Sequence, residues 1–353
     1  MPSAPPSAVP DAFMESMVVT GVGDINWANV TFSGTFKSPI PVCTVVYVGV
    51  RLLPAVVRMK DVGPESFQIR LQNPSNDTLT ALDVHCVVVE QGSWEMPDGR
   101  KIEANKYDST ITDSKGSYSG QAQSCGDVCS NPYIVLGQVM SYNDPKWSVF
   151  WSRGAADRFT PTNGYSWFTG KHVGEDSTRS RVDEAIGYIV IEEGHAVSEG
   201  IEIETARGSD TVIGYTQGSV VYNFTQAFST ILTKPAVAVL SQVGMDGNNG
   251  SWAVSAAFLS EASMKVAVDE DQIGDQERDH ISEEVDYIVF SAAGPVKLFT
   301  GNRALATATV TVSALATDAN TLTNTTTSTT VTQVKIQSSE KTIVTTTTTI
   351  FTT

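Results

Sequence analysis

The chain has 353 residues, 41% hydrophobic and 18% charged, with a formal net charge of −16. At roughly 100–200 residues per domain this allows two or three domains, apolar enough to build packed cores and so not disordered throughout. Its 23 Lys and Arg are dispersed among 39 Asp and Glu, which excludes nucleic acid as a partner, because phosphate binding needs clustered cations.

Residues 1–24 read as an N-terminal extension. Met1-Pro2-Ser3-Ala4-Pro5-Pro6 has neither the basic nor the apolar part of a signal sequence. No window anywhere reaches the roughly 18–20 continuous apolar residues of a membrane span, so the chain reads as soluble.

Residues 25–120 are expected to form a first β unit. Ser66-Phe67-Gln68-Ile69-Arg70-Leu71-Gln72 alternates apolar and polar, the mark of a strand with one wet face. The clusters Asn73-Pro74-Ser75-Asn76-Asp77 and Pro97-Asp98-Gly99 supply turns. Cys43 and Cys86 fall within predicted strands and read as buried thiols; Cys125 and Cys129 lack the second pair and histidines of a zinc site, and a disulfide between them is the other reading. Asn29, Asn76, Asn223, Asn249 and Asn324 begin Asn-x-Ser/Thr triplets, glycan acceptors if the chain is secreted.

A second unit, 121–217, has a divergent entry at Asn131-Pro132. It gathers aromatics, with Trp147, Trp151 and Trp167 as packing or interface anchors or, alternatively, as platforms for a glycan. A third unit covers 218–304. There the acidic run Asp269-Glu270-Asp271 with Asp275, Glu277 and Asp279 invites calcium, but position twelve of the loop is His280 where an EF-hand needs Glu. The run reads as a solvated hairpin loop.

The three units echo one another. DVHCVVVEQG at 83–92, EAIGYIVIEEG at 184–194 and EEVDYIVFSAAG at 283–294 each run from an acid through β-branched residues to a glycine, at a spacing of about 100 residues, the size of one β-sandwich. NVTFSGTFKSPIPVC at 29–43 is matched by NFTQAFSTILTKPAV at 223–237, and GRKIEA at 99–104 by GIEIET at 200–205. The expected fold is therefore all-β: about three tandem antiparallel sandwich-like units followed by a tail, 305–353, that holds twenty threonines. Such a tail is β-prone but has too few large apolar residues for a core, so it needs a partner edge. Val310, Val312, Val334, Ile336, Ile343 and Ile350 are its candidate assembly residues.

Chemistry is not indicated. His85, His172, His195 and His280 sit in different elements without short-spaced ligand partners. No nucleophile elbow, phosphate loop or dinucleotide fingerprint occurs. The chain reads as a non-enzyme with no cofactor and no metal.

Ala55-Val56-Val57-Arg58-Met59, the strand 66–71, HCVVVEQG and PDGRKIEA resemble the repeated β-domain of the diatom pyrenoid shell proteins. That resemblance covers most of 25–300. It implies a homo-oligomeric sheet or tube around the Rubisco condensate in the plastid, supporting CO2 concentration, with the tail as clasp. A weaker resemblance, to the H-type lectins, implies a secreted carbohydrate-binding or adhesion module instead.

Overall fold

A computed structural model of the chain describes residues 12–49, 52–124, 126–155, 161, 167–225, 228, 236–300, 312–316, 325–330 and 347–350. The chain divides into two compact units, Met1–Gly301 and Asn302–Thr353. It is all-β, with 54% of the described residues in strands.

In the first unit the strands are β1 (Ala12–Val22), β2 (Ala28–Thr31), β3 (Pro39–Val46), β4 (Val56–Lys60), β5 (Ser66–Gln72), β6 (Leu82–Glu90), β7 (Gly92–Glu95) and β8 (Lys101–Ser109). There follow β9 (Thr112–Asp113), β10 (Gln121–Gln123), β11 (Tyr133–Val139), β12 (Val149–Gly154), β13 (Trp167–His172) and β14 (Glu184–Glu192). The unit ends with β15 (Gly194–Ser198), β16 (Ile201–Arg207), β17 (Val220–Asn223), β18 (Val237–Val243), β19 (Trp252–Ser260), β20 (Ser263–Asp269), β21 (Glu284–Phe290) and β22 (Gly294–Leu298).

One pairing pattern recurs through these strands. Antiparallel ladders join β22-β1-β6-β3, β7-β8-β14-β11 and β15-β16-β21-β18. Opposite each four-stranded layer lies a three-stranded group: β2-β5-β4, β10-β13-β12 and β17-β20-β19. The glycines that ended each sequence echo open the short strands β7, β15 and β22, and each has positive φ: 136° at Gly92, 149° at Gly194 and 149° at Gly294. Only glycine enters that region without strain, so the echo marks a backbone requirement.

The other echo has an equally local cause. Phe32 and Phe36 donate their N–H groups to Glu65 and Pro64 carbonyls, and Phe224 and Phe228 to those of Ala262 and Glu261. Their rings meet edge-on at 4.8 and 5.2 Å. Glu15 accepts from the Ser33 N–H and Glu204 from the Thr225 N–H, which ties down each segment.

The pairings divide the chain differently from the sequence reading. Residues 12–22 are not an extension: β1 lies between β6 and β22 and closes the first layer with the last strand of the unit. Likewise β8 pairs with β14, although the sequence placed 101–109 in the first unit.

The three layered groups are joined to one another. A parallel bridge pairs Ser255 with Val46, another pairs Ser152 with Val243, and Gln138 reaches both the Val57 carbonyl and the Cys43 N–H. Thr44, Gln138, Ser241 and Gln242 line a cavity of about 50 Å³ where β3, β11 and β18 meet. Buried charge also spans these seams. Arg58, fully buried, pairs with Glu184 at 3.3 Å, and Asp286 accepts from the Val135 N–H while pairing with Arg207 at 2.7 Å. Arg278 pairs with Asp269, which also accepts the Tyr47 hydroxyl. Because an unpaired buried charge costs several kcal/mol, about 3–5 when one partner is removed, each seam is tolerated in essentially one register.

Cys43 and Cys86 are directly opposite in the β3–β6 register and form a disulfide. The reading of two buried thiols is thereby corrected: both sit in strands as expected, but alignment across the ladder brings the sulfurs together. Cys129 is also disulfide-bonded, and Cys125 lies outside the described residues.

In the second unit, β23 (Val312–Ala316), β24 (Thr325–Thr330) and β25 (Thr347–Ile350) form an antiparallel sheet with β24 in the middle. Val312 lies opposite Thr329, and Ile350 opposite Thr327. Val310, Val334, Ile336 and Ile343 lie outside the described residues.

Candidate functional site

The three tryptophans proposed as anchors or glycan platforms are all buried: Trp151 and Trp167 are 0% exposed and Trp147 2%. Trp151 lies over Gly120 and Gly170, where a Cβ would come within 2.7 and 3.2 Å of its ring. Trp167 packs edge-on against Tyr188 at 5.1 Å, and Trp147 against Trp252 at 5.9 Å. None turns a face outward, which leaves packing as their role and removes the glycan platform. His85 is the buried strand histidine expected; its Nδ1 accepts the Ala238 N–H at 3.1 Å, and burial pushes its pKa down to about 4.

The groups with unusual chemistry lie instead in the turns between β18 and β19, between β20 and β21, and after β13. The acidic run is solvated only in part: Asp275, Glu277 and Asp279 are exposed as expected, but Asp269, Glu270 and Asp271 are 0%, 4% and 3% exposed. Asp269 is neutralised by Arg278. Asp271 accepts the Glu175 and Ile273 N–H groups at 2.9 Å each, and burial raises its carboxyl to about 6.

Glu270 has no such partner. Burial, with Glu277, Asp271 and other acids nearby, lifts its carboxyl to about 9, and its Oε1 makes no hydrogen bond. It lies 3.4 Å from His280 Nε2. Glu283, on the other side, is 3.7 Å from the same nitrogen. It accepts from the Asp246 and Gly247 N–H groups, and burial raises it to about 8. His280 is 4% exposed, its Nδ1 is 2.8 Å from the Ile281 carbonyl, and its Nε2 has no hydrogen-bond partner. A carbonyl can only accept, so Nδ1 carries the proton and Nε2 presents a lone pair. Burial pushes the imidazole's pKa down, favouring this neutral form.

His172 is the second imidazole of the region. Its Nδ1 accepts the Gly174 N–H at 2.7 Å and its Nε2 is 3.4 Å from Asp113. The turn Asp246-Gly247-Asn248-Asn249-Gly250 holds both rings. A Cβ on Gly247 would come within 2.2 Å of His280, and one on Gly250, at φ +82°, within 1.8 Å of His172. A cavity of about 260 Å³ opens here, lined by Asp246, Gly247, Asn248, Asn249, Glu270, Asp279, His280 and Ile281.

Part of this cluster was visible in the sequence, because Glu270, His280 and Glu283 share the one β20–β21 turn whose acidic run had invited a cation, whereas Asp246, Gly247 and His172 are brought to it only by the sandwich fold. For the part outside that turn the available signal was a pair of glycines in a turn already rich in asparagine.

Two surface patches complete the picture. On β4 and β5, Lys60 sits 4.7 Å over the Trp27 ring, and the Arg70 guanidinium is 4.9 Å from Trp27 and 4.8 Å from Tyr142. These four residues are half-buried, so the stack reaches solvent. The turn after β20 exposes the opposite charge: Asp275, Glu277 and Asp279. Among the described residues, Asp210, Asp246 and Glu284 also approach one another closely enough to share an ion, and burial raises Glu284 to about 7. No helix among the described residues is long and apolar enough to cross a membrane.

No family model, no curated protein and no solved structure matches the chain.

Proposed function

We propose that the chain is a structural protein that assembles with copies of itself. The observation that carries this reading is the pair of unlike patches on a single braced body: the Lys60–Trp27–Arg70–Tyr142 stack, and the acids Asp275, Glu277 and Asp279. Complementary patches at different places on one molecule make heterologous contacts, which propagate unless rotation closes them into a ring. In a chain of charge −16 a cation–aromatic stack is also the natural place for another copy's acids, since opposite charge steers encounter and sets register.

The resemblance to pyrenoid shell proteins supplies a setting, a sheath around the Rubisco condensate in the plastid. The test is negative-stain microscopy of the purified chain at low and high salt. Sheets or tubes that dissolve as salt rises are expected, and Lys60→Glu with Arg70→Glu should abolish them. Adding Asp275→Lys and Glu277→Lys to the same chain should restore them. Undiminished sheets from the Lys60→Glu/Arg70→Glu chain would refute the contact.

A second reading, a secreted carbohydrate-binding or adhesion module, is favoured by the Cys43–Cys86 disulfide, since such bonds persist in oxidising compartments. Exposed Asn76 and Asn223 are open to glycosylation there. Glycan-array binding by dispersed particles would select this reading over the first.

A further inference from the structure

We propose that the cavity between the β18–β19 and β20–β21 turns is a binding site for a divalent transition-metal ion of the zinc class, held by His280 Nε2 and Glu270 Oε1.

Four observations support it independently of the assembly reading. The two atoms are 3.4 Å apart, and two donors at zinc bond lengths of about 2.0–2.1 Å with a tetrahedral angle between them are themselves separated by about 3.4 Å. Both residues are 4% exposed, yet neither atom has a hydrogen-bond partner, a costly arrangement for buried polar atoms unless something completes it. The His280 ring is already set as a ligand, with the Nδ1 proton held by the Ile281 carbonyl at 2.8 Å; a backbone or carboxylate acceptor on the far nitrogen is the usual support of a metal-bound imidazole. Finally, the ligands open onto a cavity of about 260 Å³ whose wall includes Asp246, Asn248 and Asp279, so the ion's other positions can be taken by water.

Glu283 contributes in a different way. Pinned by two backbone N–H groups and 3.7 Å from the ring nitrogen, it adds negative charge beside the ion once the cation displaces its proton. The nitrogen donor selects the ion's class. Calcium and magnesium take oxygen ligands, whereas imidazole with carboxylate suits zinc, and cobalt can replace it as a coloured probe. Gly247 keeps the ring in place, because any side chain there would collide with it.

The experiment uses the full chain without an affinity tag, stripped with chelator and titrated with Zn²⁺ by calorimetry, and separately with Co²⁺ by visible absorption. One high-affinity equivalent and a cobalt ligand-field band are expected, with no comparable response to Ca²⁺. His280→Gln and Glu270→Gln should each weaken Zn²⁺ binding about tenfold or more, on the scale seen when metal-site partners are removed. His195→Gln, in a different strand, should leave it unchanged. X-ray absorption of the Zn²⁺-loaded unmutated chain gives a reading that does not depend on how the variants fold: one imidazole with oxygen ligands is expected. Sulfur ligation, two imidazoles, unchanged binding in His280→Gln or the absence of any stoichiometric Zn²⁺ binding would each overturn the proposal.

Discussion

Glu270 and Glu283 on one side and His172 and His280 on the other make the stability of the fold respond to pH in opposite directions. Glu270 and Glu283 are raised to about 9 and about 8 from an ordinary 4.5, so between those values the folded chain holds protons that the unfolded chain has released. The stabilisation they give is complete below about pH 4.5 and is lost as pH climbs through 8 and 9. His172 and His280 are lowered from 6.5; the unfolded chain binds protons there that the fold refuses, which destabilises the fold below about pH 6.5. Above pH 7 the histidine contribution is exhausted and the carboxyls dominate. In chelator, the unfolding free energy should therefore fall from pH 7 to pH 9 by up to about 1.4 kcal/mol per pH unit for each carboxyl involved, read as a falling melting temperature. Glu270→Gln should flatten that slope, and an unaltered profile in this variant would show that Glu270 is not protonated in the fold.

Elements were the level at which the sequence was most legible. Alternation located β5, and the acid-to-glycine echoes located β6, β14 and β21, because a residue needing positive φ leaves a glycine that can be seen without knowing the fold; that each glycine also opens a short strand, β7, β15 or β22, was not foreseen. The Phe-x-x-x-Phe segments were legible for the same reason, their bonds being made to a neighbouring turn. β1 was not: its partners are β6 and β22, and nothing local in residues 12–22 announces a strand far along the chain. The histidine–carboxylate cavity was half hidden, since the acidic loop carrying Glu270 and His280 was visible but the β18–β19 turn that walls it was not, and the Cys43–Cys86 bond depended on a cross-strand register that separate strands cannot reveal.

Two measurements belong to this scale. Phe224→Ala, which empties a buried site in the third group, should cost about 3–5 kcal/mol in denaturant unfolding. Replacing Cys43 and Cys86 together with Ala, which opens a loop of sequence separation 43, should cost about 2–4 kcal/mol, and reductant should then have no further effect through that bond.

At the scale of the whole molecule the question is what converts a body into a sheet. One heterologous contact repeated between copies gives a ring or a filament; a sheet requires a second contact in another direction. In the proposed assembly the cation–aromatic stack and its acids would supply the first. The Thr-rich strands are the candidate for the second: in their three-stranded sheet β23 and β25 are the outer strands, and strand addition from another copy at such an edge makes little demand on side chains. The two contacts should therefore fail differently. A chain ending before Leu305 is expected to keep the body's cooperative unfolding and to give strings or rings in negative stain. The full-length Lys60→Glu/Arg70→Glu chain should retain only tail-mediated association, insensitive to salt because it rests on backbone pairing. Sheets of unchanged spacing from the shortened chain would remove the tail from the lattice and require both contacts to come from the body alone.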